Sequence, residues 1–152
     1  MLFRSPDTLV LNNLEFDHAD IFSDLAAIET QFHHLVRTVP RRGRIISNAG
    51  SDALARVLAR GCWSQAERFL HEADWHIGEF QRGGPLGHAD FEVRRGTQQL
   101  GRCRLSLAGA HNRANALAAI AASAAVGVEP AQAIAGSGEH TSELQSRGDI
   151  SY

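Results

Sequence analysis

The chain has 152 residues, 43% of them apolar, and a formal net charge of −2. That length suits one ordinary domain with a core, and the near-neutral charge leaves no footprint for nucleic acid or an anionic membrane surface. The two cysteines, Cys62 and Cys103, lie far apart and outside any CxxC pair. This argues against a zinc site and for a reducing, cytoplasmic setting, with no apolar run long enough for a membrane span and no signal-peptide core at the start.

Thr8 to Leu11 is β-branched and apolar and predicts a buried strand. Ile21, Leu25, Ile28, Phe32, Leu35 and Val36 then recur at helical spacing and share one face. Pro40 and Gly43 end that helix. His33 and His34 fall near its end, where a histidine suits the helix dipole. Arg44 to Asn48 predicts a second strand. Ser51 or Asp52 starts a second helix with Leu54, Val57 and Leu58 inward, and Gly61 stands where a left-handed C-cap would. This β-α-β-α order with short connections is the pattern of a parallel sheet with crossover helices.

The middle is less regular. Phe69-Leu70 is an apolar island, and Trp75 to Ile77 reads as a short strand. Gln81 to Gly87 is turn-rich. Phe91 to Val93 and Gly101 to Leu107 flank Arg95-Gly96-Thr97-Gln98 as a β-hairpin, with Arg94, Arg95, Arg102 and Arg104 on a solvated face. An alanine-rich helix follows, through Val126, and Pro130 is placed to begin another.

Two stretches carry chemistry. After the first strand come Asn12-Asn13-Leu14-Glu15-Phe16-Asp17-His18-Ala19-Asp20. Ligands in α/β sheets sit at the carboxyl ends of strands, so this cluster fits a small-ligand or metal site. Equally, Asp17 could cap the next helix and His18 be a solvated loop residue. The second stretch is Gly109-Ala110-His111-Asn112-Arg113-Ala114-Asn115. Asn112 and Asn115 lie three apart on one helical face, and their amides complement an adenine edge. Asn112 acting only as a helix cap is the plainer reading.

Together these stretches resemble the Mur ligase family, the ADP-forming amide ligases of peptidoglycan synthesis. Its central domain carries N-x-x-x-D-H-x-D after a strand, here Asn13 to Asp20, and G-x-H-N-x-x-N-A-x-A-A opening a helix, here Gly109 to Ala119. The resemblance covers nearly all of residues 6–135. It implies an α/β fold, a partial central domain with a mainly parallel sheet flanked by helices and an antiparallel β-hairpin. It also implies ATP and Mg2+ as cofactors, with His18 as metal ligand and His111, Asn112 and Asn115 at the adenine and ribose. Asn13, Glu15, Asp17 and Asp20 become neighbours of that site. The wording around Asn12 to Phe22 and Gln31 to Pro40 is similar to the branch joining UDP-N-acetylmuramate to a recycled murein tripeptide, with neither nucleic acid nor membrane as partner.

The family's phosphate loop, G-x-x-x-x-G-K-[ST], does not occur in this sequence, so the resemblance places it upstream, and the catalytic apparatus is incomplete. The sheet is then expected to expose an edge. Residues 1–5 and 137–152 resemble translated sequencing adapter, which leaves residues 6–136 as the biological part. Other readings of the residues are an L-alanine-adding ligase of the same family, a metallohydrolase recruiting His71, His76 or His88, or a non-catalytic α/β module.

Overall fold

The computed structural model describes residues 5–14, 24–71, 73–83, 88–106 and 109–137. In chain order the elements are β1 (Thr8–Leu11), α1 (Leu25–Thr38), β2 (Arg44–Asn48), α2 (Asp52–Ala59), β3 (Gln65–Phe69), β4 (Trp75–Gly83), β5 (His88–Arg95), β6 (Gln98–Leu105) and α3 (Ala110–Ala125). A last helix, α4, covers residues 130–137. The six strands form one sheet in sequence order. β1 to β4 pair in parallel, and β4, β5 and β6 pair antiparallel. This is the expected mixed α/β architecture. No helix among the described residues is long and apolar enough to cross a membrane.

Strand alternation builds three layers. Neighbouring residues of β2 point to opposite faces, so Ile45 joins Leu11, Ile28, Val36, Val39, Leu54 and Val57 under α1 and α2. Ile46 joins Phe69, Trp75, Phe91, Val93, Leu117 and Ile120 on the α3 face. Ala118 and Ala121 are buried there, and their small side chains let α3 lie close to the sheet.

Several expectations need correction. Described α1 begins at Leu25, and its cap is Asp24, which accepts from the Ala27 N–H at 2.8 Å. The earlier helix start at Ile21 and the proposed cap Asp17 lie outside the described residues. Leu35 is 41% exposed, because the buried stripe passes through Ile28 and Val36 instead. Ser51 caps α2 as expected, but Gly61 has φ +132°, well beyond the left-handed helical region.

β3 was missed because Glu67 and Arg68 break its apolar pattern. The Glu67 carboxylate turns inward, accepting from Trp75 Nε1 at 2.7 Å and from Arg95 at 3.0 Å. β4 runs on through Gln81 to Gly83, where a loop was expected. Pairing with β5 outweighs the local glycine signal. The hairpin strands are longer than predicted and turn at Gly96 and Thr97. The arginines on its polar face are paired rather than merely solvated. Arg102 meets Asp90 and Glu79, Arg104 meets Asp90, Arg94 meets Glu92, and Arg95 meets Glu67.

Candidate active site

β1 and β2 run parallel in one register, so their carboxyl ends finish side by side. Asn12 follows β1, and its Nδ2 donates to Asn115 Oδ1 at 2.7 Å. Asn48, the last residue of β2, donates from Nδ2 to the Asn12 carbonyl at 2.8 Å. The Asn48 Oδ1 accepts from the Gly50 N–H at 2.8 Å. A run of amides therefore ties two strand ends to the second turn of α3. With its oxygen engaged by Asn12, the Asn115 side chain has N–H donors to offer a ligand. A cavity of about 330 Å³ lies beside the pair, lined by Val10, Asn12, Asn115, Ala118 and Ala119.

Among the described residues, α3 starts without a side-chain cap. Its N-cap is Gly109 at φ +129°, a conformation open to glycine alone at little cost. Asn112 thus lies inside the first turn rather than at the N-cap position. The N–H groups of a helix's first turn favour a negatively charged or acceptor-rich partner. Just before, the Ser106 hydroxyl is buried with no hydrogen-bond partner among the described residues. His111 and Asn115 are exposed and Asn112 is half-buried. The donor set and the helix start can hold a small polar ligand.

Asn13 is exposed, one residue past Asn12. Glu15, Asp17, His18 and Asp20 lie outside the described residues. Among the described residues, no group of three or more His, Cys, Asp or Glu side chains could hold a metal ion. His71 and His76 line one cavity, but His88 opens β5 and is not among its lining residues. The three histidines named for a metallohydrolase are therefore not gathered into a centre. Neither Asn48 nor the role of Asn12 is marked by residue type or spacing in the sequence. Their signal is positional, since each ends a parallel strand on the same side of the sheet.

Residues 2–123 match the sequence model of the family described as the Mur ligase middle domain. The chain belongs to the Mur ligase family. It is 47% identical over 128 residues to the UDP-N-acetylmuramate--L-alanyl-gamma-D-glutamyl-meso-2,6-diaminoheptandioate ligase of Escherichia coli (strain K12), covering 84% of this chain and 27% of that protein. The Haemophilus influenzae ligase of the same name is 39% identical over 124 residues, covering 82% of this chain and 26% of that one. Among solved structures, the UDP-N-acetylmuramate:L-alanyl-gamma-D-glutamyl-meso-diaminopimelate ligase from Neisseria meningitides superposes with a TM-score of 0.78 at 48% identity. It covers 88% of this chain and 40% of that chain. The chain spans about a quarter of the length of the curated relatives it matches. Both Mur ligase motifs fall inside the matched span.

Proposed function

We propose that this chain is a section of the ATP-binding domain of a Mur ligase that joins UDP-N-acetylmuramate to the tripeptide L-alanyl-γ-D-glutamyl-meso-diaminopimelate recovered from cell wall. The observation that carries this reading is the Asn12–Asn115 hydrogen bond, which brings together two stretches 103 residues apart. These are the stretches in which the family's motifs stand. The names of the relatives at 47% and 39% identity support the choice of substrates.

In the proposed reaction the muramate carboxylate attacks the γ-phosphorus of ATP, forming an acyl phosphate and releasing ADP. The tripeptide amine attacks the acyl carbon, and phosphate leaves as the amide forms. Magnesium, when bound, offsets charge growing on the transferred phosphoryl oxygens. His18 would hold it, with Asp17, Asp20, Glu15 and Asn13 ordering the surrounding loop. Asn112 and Asn115 would orient the adenine, and His111 would lie toward the ribose. An ATP-driven reaction on a nucleotide-linked sugar fits a cytoplasmic enzyme.

The test is ADP release by the intact parent enzyme supplied with ATP, UDP-N-acetylmuramate and either the tripeptide or L-alanine. Turnover with the tripeptide and little with L-alanine is expected. The reverse preference would replace this reading with the L-alanine-adding ligase. The 152-residue chain, lacking a phosphate-loop sequence, should release no ADP with either amine.

A further inference from the structure

A second cavity, of about 650 Å³, is lined by Leu70, His71, His76, Ile77, Phe80 and Arg113. Its volume is in the range of small-molecule sites. Its lining residues differ from those of the cavity beside the Asn12–Asn115 pair.

Four features show a shaped wall rather than an accidental hollow. Leu70 and His71 both hold positive φ, +71° and +51°, although neither is glycine. Such backbone is costly and persists where the surroundings fix it, often at ligand sites. Here the fixing bonds are visible. The Leu70 N–H donates to the Trp75 carbonyl at 2.9 Å, and the Arg68 N–H donates to Asp74 Oδ2 at 2.8 Å. Gly50 completes the arrangement. A Cβ at that position would sit 2.6 Å from His71 Nε2, so the imidazole occupies space that only glycine leaves open. The Gly50 backbone is itself held by Asn48. Opposite, the Arg113 guanidinium lies 4.1 Å from the Phe80 ring centroid, which fixes its plane. His76 is oriented through Nδ1, 3.1 Å from the Ala73 carbonyl.

The lining thus combines one permanent cation, two imidazoles, and an apolar floor of Leu70, Ile77 and Phe80, with no carboxylate among its described residues. We propose that this cavity binds the phosphate group of a phosphate ester. Arg113 would supply the planar donors that suit phosphate oxygens, the His71 imidazole would add an N–H donor, and the apolar floor would take the organic part.

The test uses the 152-residue chain and inorganic pyrophosphate, followed through the imidazole proton resonances of His71 and His76 at fixed pH and ionic strength. Sodium acetate is titrated in parallel. Saturable shifts with pyrophosphate alone are expected. Arg113→Gln should weaken the affinity roughly tenfold. Gly50→Ala should do likewise by displacing His71 while leaving Arg113 in place. Circular dichroism melts establish that both variants fold, and His71→Gln stands in for either one that does not. The proposal is overturned by equal shifts with acetate, by no saturable shift, or by undiminished affinity in the folded variants.

Discussion

At the residue scale, the polar groups taken inside carry the most specific information. Glu29 is buried in the middle of α1, yet both its oxygens are used. Oε1 accepts from Arg56 at 2.7 and 2.9 Å, and Oε2 accepts from Arg60 at 2.9 Å. These bonds lock α1 to α2 on one face of the sheet. Glu29→Ala leaves two arginines without their acceptor and should cost about 1–3 kcal/mol, since the arginines can still reach water. A urea titration reads this as a lower midpoint with an unchanged slope. Cys103 behaves differently. Burial, helped by the nearby charge of Asp90, pushes its thiol up to about 11. At pH 8 it stays protonated and unreactive. An aromatic disulfide reagent should therefore modify only Cys62 in the native chain and both cysteines after unfolding. Prompt modification of two thiols in the native chain would contradict this burial.

At the element scale, legibility followed periodicity. β1, β2 and α2 were readable because their apolar spacing and caps agree with their final environment. β3 was not, because its inward Glu67 is made tolerable by Trp75 and Arg95, partners that are remote in sequence or hidden by chain reversal. The arginine ladder of β5 and β6 was read as solvated because residue type alone does not reveal cross-strand register. Asp90 stands opposite Arg104 and pairs with it, while Arg102, opposite Glu92, reaches diagonally to Asp90 and across to Glu79. The hydrogen bond from Arg102, reinforced by Arg104, holds the Asp90 carboxyl below its ordinary value of 3.8 despite some burial. The folded chain therefore binds that proton less tightly than the unfolded chain. Its contribution to stability is present above about pH 4 and fades as the pH falls through the lowered value. Asp90→Asn should flatten the acid limb of a melting-temperature profile, and an unchanged limb would count against the pairing. The site was half legible. Spacing could place Asn112 and Asn115 on α3, but only the sheet register brings Asn12 and Asn48 to the same end.

At the scale of the whole molecule, β1 has β2 as its sole strand partner among the described residues, and Val10 on it is 40% exposed. An uncovered edge is a template for association. Val10→Lys should reduce self-association by light scattering while leaving the far-ultraviolet spectrum unchanged. The family match runs from residue 2 to 123, overlapping the N-terminal stretch proposed as foreign and leaving 137–152 outside it. Reading the codons for residues 137–152 against adapter sequence tests that proposal directly. A match is expected, and natural coding sequence there would overturn the foreign reading of residues 137–152.

The central claim is that Asn12, one residue before the first motif, and Asn115, within the second, are joined so that both stretches form one wall of an ATP site in the intact parent enzyme. If Asn115 contacts adenine in ground and transition states alike, Asn115→Ala in the intact parent enzyme should raise the ATP KM with little change in kcat. If His18 holds magnesium at the transferred phosphate, His18→Ala should lower kcat by on the order of 100-fold or more. The decisive measurement is kcat and ATP KM for both variants at saturating magnesium. The predicted result is that division of effects. An unchanged ATP KM in Asn115→Ala, together with near-normal kcat in His18→Ala, would contradict the account.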